Sequence, residues 1–194
     1  MLLPNFSRMN KKIEIGMKKI LVLSASARKG GNTDLLCDEF VRGAREAGHE
    51  VEKLHVAFMD VKGCIGCRRC QTNGGRCLQK DDMALVYEKM LAADVIVFAS
   101  PVYFYSFNAQ MKAVMDRTFA IERVIKDKTA YLLTTGAAPE PQYFSLITEH
   151  FRKYIGCFKG ITLGGIVIGT GTNEKKDILG SAAMQEAYEM GKHV

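Results

Sequence analysis

Lys19-Ile20-Leu21-Val22-Leu23-Ser24-Ala25-Ser26-Ala27-Arg28-Lys29-Gly30-Gly31-Asn32-Thr33 is an apolar run that breaks into a small, polar, glycine-bearing loop. An apolar run that is continuous rather than alternating marks a strand buried on both faces, as in a parallel sheet. Behind the loop, Leu35, Leu36, Phe40, Val41 and Ala44 recur at helical spacing, Asn32 reads as the N-cap and Gly48 ends the helix. Strand, loop and helix in that order open a β-α-β unit.

The rest of the chain repeats the alternation. Glu50 to Val56 reads as a second, weaker strand, and 57–80 as a long irregular stretch. A helix follows Asp81-Asp82 to about Ala92, then Asp94–Ala99 is a third buried strand with Ser100–Tyr105 as the loop after it. Ser106 reads as the cap of a helix whose Phe107, Met111, Val114, Met115 and Thr118 share one face. Thr129–Thr135 is a fourth strand, a helix over 141–155 leads through Gly160 to a fifth strand over 161–168, and a last helix is expected over 175–190. Five strands alternating with helices predict an α/β fold, a parallel sheet covered on both sides, in one domain over 17–194. Ligands of such sheets bind beyond the carboxyl ends of the strands, which brings loops 24–33, 100–106 and 134–139 to one edge. Residues 1–16 add no periodic apolar face and are expected to be a flexible extension.

Composition narrows the class. Of 194 residues 47% are apolar and 25% charged, as in ordinary globular chains. No apolar run approaches the roughly 18–20 residues of a spanning helix. Met1-Leu2-Leu3-Pro4 is too short for the apolar part of a signal peptide, so a cytoplasmic protein without a membrane partner is expected. The net charge of +6 is concentrated, with +4 in residues 1–19, +5 in residues 62–80 and −3 in the remainder. A basic tail and a basic loop without a recognition motif do not predict nucleic-acid binding.

The first loop has two readings. Hydroxyls of Ser26 and Thr33, the Arg28 guanidinium and the amides of a helix start could surround a phosphate, or the segment is a polar turn with a capping residue. It is neither a Gly-Lys-Ser/Thr loop nor G-x-G-x-x-G. Likewise Gly169-Thr170-Gly171 is no dinucleotide fingerprint, since Glu174 stands where the third glycine would be, and it reads as a turn.

Ser26-Ala27-Arg28-Lys29-Gly30-Gly31-Asn32-Thr33 resembles the FMN-phosphate loop of the flavodoxin-like NAD(P)H-dependent FMN reductases. Ser100-Pro101-Val102-Tyr103-Phe104, with Ala109-Gln110-Met111-Lys112 and Asp116-Arg117, resembles their second signature. The resemblance implies a flavodoxin-like three-layer sandwich of strand order 2-1-3-4-5, with FMN bound non-covalently. It also implies NAD(P)H as electron donor and a homodimer or homotetramer. Carried over, Ser26, Arg28, Gly31, Asn32 and Thr33 would hold the phosphate, and Pro101, Val102, Tyr103, Phe104 and Ser106 would lie along the ring. Thr135, Gly136 and Ala137 would close its other side. The family often has a small residue where this chain has Tyr105. Because hydride chemistry belongs to the flavin, no general acid or base is expected. His49, His55, His150 and His193 show no ligand spacing and read as surface or edge residues.

Cys64, Cys67, Cys70 and Cys77 are separated by two, two and six residues. Repeated two-residue gaps let one tight loop turn three thiolates to a single centre, and a fourth can close a [4Fe-4S] site. The spacing is similar to the compact cysteine motif of the iron–sulfur flavoproteins, a branch of the same family. Free thiols, zinc and a redox disulfide remain the other readings. Lys62, Arg68, Arg69, Arg76 and Lys80 would offset the negative charge of such a cluster, or would keep an exposed loop soluble. Cys37 and Cys157 read as small buried residues of helices.

These readings together predict an FMN-dependent NAD(P)H oxidoreductase delivering two electrons to a small-molecule acceptor of the quinone, nitro or azo kind. The alternative is an iron–sulfur flavoprotein that exchanges single electrons with a ferredoxin-like partner. Shuttle flavodoxins are typically acidic and this chain is basic.

Overall fold

The computed structural model describes residues 16–194, so the N-terminal extension lies almost wholly outside the described residues. Strands β1 (Lys19–Ser24), β2 (Glu50–His55), β3 (Val95–Tyr103), β4 (Ser106–Phe107), β5 (Lys128–Thr135) and β6 (Ile161–Gly169) alternate with helices. The helices are α1 (Asn32–Glu46), α2 (Met83–Ala92), α3 (Ala109–Arg117), α4 (Ser145–Ile155) and α5 (Ala182–Lys192). The sheet order is β2-β1-β3-β5-β6, with every neighbour parallel and β4 added to β3 as a short antiparallel hairpin arm. This is the 2-1-3-4-5 order expected from the sequence, with one extra short strand.

The period of two along each strand divides the apolar residues into two cores. Leu21, Leu23, Ile96 and Phe98 face α2, α3 and α4 through Met83, Val86, Met111 and Phe151. Ile20, Val22, Val95 and Val97 face α1 and α5 through Leu36, Phe40, Ala183 and Ala187. A strand with both faces covered has no solvated side, which is why β1 and β3 read as unbroken apolar runs. No helix among the described residues is long and apolar enough to cross a membrane.

Several local expectations are corrected. The segment Ser100–Tyr105 is mostly strand: β3 continues through Pro101, whose missing N–H costs nothing at this outer end, and turns back at Phe104-Tyr105. Ser106 therefore lies in β4, and Asn108 caps α3 by accepting a hydrogen bond from the Met111 N–H at 3.1 Å. Asn32 is the first residue of α1, with Gly31 as its cap. Its side chain instead donates to the Glu174 carbonyl and accepts from the Ile178 N–H. The last helix starts at Ala182, because Gly180 adopts a left-handed φ of 75° that closes the turn before it. Cys157 lies past the end of α4 and is exposed, whereas Cys37 is buried as expected. His49 is buried, its Nδ1 accepting from the Lys18 N–H.

The hairpin turn is conformationally costly. Phe104 and Tyr105 have φ of 49° and 66°, the pair of left-handed values that a two-residue hairpin demands and that Asn-Gly meets best. Residues held there cost about 1–3 kcal/mol each. Replacing Phe104-Tyr105 with Asn-Gly is expected to raise stability by about 1–2 kcal/mol, seen as a higher urea midpoint. An unchanged or lower midpoint would show that the aromatic pair is held by contacts that offset its strain.

Candidate functional site: an FMN-type cleft and a cysteine pocket

The parallel strands end together, and their loops enclose a cleft of about 170 Å³. One wall is Ser26, Arg28, Gly31, Asn32 and Thr33 at the N-terminus of α1. Pro101, Val102 and Tyr103 on the outer end of β3 form the second wall, and Thr135, Gly136 and Ala137 after β5 the third. Phe104 and Ser106 stand outside it. Phe104 sits fully exposed at the hairpin tip, and Ser106 pairs across the hairpin with Tyr103.

Two residues the sequence did not point to, Thr172 and Asn173, complete the rim from the loop after β6. That loop is tied to the first: Arg28 donates to the Asn173 carbonyl at 3.3 Å, and Asn32 to the Glu174 carbonyl at 2.7 Å. The Thr172 N–H and hydroxyl both bond the Gly136 carbonyl, at 2.9 and 3.1 Å. The only sequence signal was the turn glycines after the fifth strand.

Buried polar groups hold the walls in register. Thr33 and Thr135 hydroxyls meet at 2.7 Å, joining the first wall to the third. Asn108, fully buried, donates to the Ala25 carbonyl at 2.6 Å while its oxygen accepts from Ser100 and from the Met111 N–H. One side chain thus caps α3 and joins the first loop to the second. Asn108→Ala is expected to cost about 2 kcal/mol, a lost cap plus an unpaired buried carbonyl, read from the thermal midpoint. A loss under about 0.5 kcal/mol would mean water replaces the amide.

Behind the first loop, Asp34 accepts from the Gly30 N–H at 2.8 Å and pairs with Lys53 at 2.6 Å. Burial pushes its carboxyl up, but Lys53 and the Gly30 amide outweigh this and hold it below the usual carboxylate range. The carboxylate therefore fixes the loop from behind and does not enter the cleft. No His, Asp, Glu or Cys lines the cleft among the described residues.

The fit to a phosphate-bearing flat ring is testable on this geometry. The first amides of α1 have no acceptor in their own helix and point toward the cleft end, where the helix dipole favours an anion. A Cβ on Gly31 would stand 2.9 Å from the Arg28 carbonyl, so the tight turn that exposes those amides needs a glycine. A Cβ on Gly136 would crowd the buried Phe144 ring at 3.2 Å and Val102 at 3.3 Å, so a glycine lets this wall pack closely on the core behind it. The residues present fit FMN.

The cysteine loop forms a second site. Cys64, Cys67, Cys70 and Cys77 all line one pocket, with Arg68, Arg117 and Phe119 among the other lining residues. All six cysteines are free, and among the described residues no three His, Cys, Asp or Glu side chains stand together as a ready-made metal-ligand set. Both ends of the loop are fastened at one point. Asp81 accepts from the Lys62 N–H at 3.1 Å, and Arg117 donates to the Lys62 carbonyl at 2.8 Å and to both Asp81 oxygens. The Arg117 and Asp81 side chains are 1% and 0% exposed. The Tyr87 hydroxyl donates to the Arg117 carbonyl. Burial pushes that phenol up to about 12, with Arg117 opposing and Cys77 and Cys70 adding to the rise.

Comparison with known proteins adds a second line. The sequence profile of the NADPH-dependent FMN reductase family matches residues 18–173. An iron-sulfur flavoprotein of Methanosarcina thermophila is 35% identical over 123 residues, 62% of this chain and 64% of that protein. One of Methanocaldococcus jannaschii is 36% identical over 122 residues, 62% of this chain and 63% of that protein. The aligned stretch thus covers just under two thirds of each relative. The solved NAD(P)H:quinone oxidoreductase from Methanothermobacter marburgensis matches with a TM-score of 0.75 at 19% identity, over 92% of this chain and 96% of that one. At that identity it shows the shared fold.

Proposed function

The chain belongs to the NADPH-dependent FMN reductase family, and on that premise we propose that it is an FMN-dependent NAD(P)H oxidoreductase acting on a small electron acceptor. The observation that carries this reading is the cleft itself: an anion-binding helix start at one end and two flat walls, Pro101–Tyr103 and Thr135–Ala137, at the other. FMN bound there supplies hydride and single-electron chemistry, which no protein side chain offers. Ser26, Arg28, Asn32 and Thr33 would hold its phosphate, and Tyr103 and Val102 would orient its ring. The hydroxyls, amides and guanidinium that line the cleft suit this work, since the protein's task is placement. The acceptor would be of the quinone, nitro or azo kind.

Arg28→Ala is expected to raise the FMN dissociation constant at least tenfold, because a charge-assisted contact to phosphate contributes about 1.5–3 kcal/mol. The check is fluorescence quenching of FMN on titration with apoprotein. An unchanged constant would place the phosphate elsewhere, and failure of the FMN-loaded protein to oxidise NADH or NADPH with any of these acceptors would overturn the enzymatic reading.

A second reading is favoured by the pocket that gathers four cysteines beside a buried arginine. Arg68 and Arg117 line the same pocket and would offset the negative charge of an anionic, sulfur-rich group there. Cys64, Cys67, Cys70 and Cys77 would hold a [4Fe-4S] cluster, and its chemistry would be single-electron exchange with a ferredoxin-like protein. Iron and sulfide at four per chain after anaerobic purification would establish it. The free cysteines suit a reducing cytoplasm. The exposed run Tyr103-Phe104-Tyr105 beside the cleft supports assembly as a homodimer or homotetramer.

A further inference from the structure

The segment after β6 closes the cleft rim, and it is fastened at both ends. At one end the Thr172 N–H and hydroxyl bond the Gly136 carbonyl. At the other, Ile178 is fully buried in the core layer shared with α1 and α5. Between them Asp177 folds the segment on itself, accepting from the Asn173 and Glu174 N–H groups at 2.9 and 2.6 Å. The carbonyls of the same two residues meet the first loop, Arg28 donating to one and the Asn32 side chain to the other. Lys175 lies over Gly30, its Cε 3.6 Å from where a Cβ there would stand. Asn173 lines the cleft with its N–H and carbonyl both engaged, so the polar group it can offer a ligand is its side-chain amide. The Asn32 side chain is engaged at both of its ends, donating to Glu174 and accepting from the Ile178 N–H at 3.3 Å.

We propose that Asn173 is a further FMN-binding residue and that Asn32 is its positioning residue, seating residues 172–178 as a strap across the phosphate end of the cleft. The inference rests on the FMN reading given above. Asn32 divides its work: its N–H, one of the first amides of α1, serves the phosphate, while its side chain holds the strap. An amide suits the second task and a carboxylate does not, because the group must donate to a carbonyl and accept from an N–H. The Asn173 amide likewise donates and accepts, so it matches a phosphate oxygen or a hydroxyl of the ribityl chain. Affinity at the first loop is then completed by a segment 142 residues further along the chain.

The test uses the full chain, first without flavin and then with FMN. Two quantities are read: tryptic cleavage after the exposed Lys175 and Lys176, located by mass spectrometry, and the FMN dissociation constant from fluorescence quenching. Asn32→Ala is expected to speed cleavage at these lysines about tenfold in the flavin-free protein, since the hydrogen bonds that seat the strap are lost. Bound FMN is expected to slow the same cut in the unmodified protein. Asn32→Ala and Asn173→Ala should each raise the FMN constant about fivefold to tenfold. The double variant should lose no more than the worse single, because one residue acts through the other. Additive losses would make Asn32 a phosphate ligand in its own right and overturn the inference. So would an unchanged cut in Asn32→Ala, cleavage spread over the whole chain, a cut that bound FMN does not slow, or an unchanged FMN constant in Asn173→Ala. Those results leave the FMN reading standing. Unmodified protein that binds no FMN would overturn that reading and the Asn173 contact with it. If Asn32→Ala does not fold, Asn32→Asp carries the test. A carboxylate favours the start of α1 through the helix dipole, yet it cannot donate to the Glu174 carbonyl. Faster cleavage at Lys175 and Lys176 in this variant would support the inference, and a rate equal to that of the unmodified protein would refute it.

Discussion

Arg117→Met alone is expected to lower the unfolding free energy by about 3–5 kcal/mol, the cost of leaving a buried carboxylate without its partner. Asp81 has no exposed side-chain area to rehydrate, and it would keep only the Lys62 and Met83 amides. The neutral exchange Arg117→Met/Asp81→Leu should recover most of this, because two apolar side chains need neither desolvation nor pairing. The same pair sets an acid limit. The Arg117 hydrogen bonds hold the Asp81 carboxyl below its ordinary range, so the folded pKa lies under the unfolded one. Its contribution is therefore fully present above the unfolded value near 4 and is lost as pH falls through the folded value. Urea unfolding at pH 7 and pH 3 checks both points. A single variant within about 1 kcal/mol of the unmodified protein at pH 7 would show that water reaches Asp81.

What was legible in the sequence followed from periodicity and loop chemistry. β1 and β3 could be read because burial on both faces leaves an unbroken apolar run, while the strand order came only with the resemblance to the FMN reductases, since β-α-β alternation allows other doubly wound orders. The phosphate-type loop could be read because Ser26, Arg28, Gly31 and Thr33 are local in sequence. Thr172 and Asn173 could not, since they reach the cleft only through the register of β6 beside β5. That Phe104 and Ser106 stand outside the cleft lining was not legible for a different reason. Phe-Tyr carries no turn chemistry, so nothing in the sequence marked the hairpin that lifts one to the tip and draws the other into β4. Asn108 was legible and missed: an asparagine just before an apolar helical face is a capping signal, though its second bond to Ala25 is a tertiary fact.

Gly43→Ala and Gly191→Ala are each expected to cost about 3 kcal/mol, although alanine is the better helix former by about 1 kcal/mol. Steric crowding decides the sign. Gly43 on α1 faces α5 so closely that a Cβ would overlap the Tyr188 carbonyl oxygen and stand 3.0 Å from the Lys192 nitrogen. A Cβ on Gly191 would overlap the Phe40 carbonyl oxygen and stand 3.1 Å from the Ala44 nitrogen. Every one of these neighbours is backbone, so no side chain can swing aside and the helices themselves must part. Parting them opens the core layer of Phe40, Ala44, Ala183 and Ala187, where small residues leave nothing to fill the gap. Because both clashes lie at one crossing, the double variant should lose less than the sum of the two. The consequence reaches the cleft, since α1 carries the phosphate-type loop at its start and Asn32 ties that start to the segment ahead of α5. FMN affinity should therefore weaken in both variants although neither glycine lines the cleft. Urea unfolding and FMN titration of the two single variants and the double decide the matter; strictly additive losses, or either alanine proving neutral, would mean that the helices can separate without disturbing the core between them.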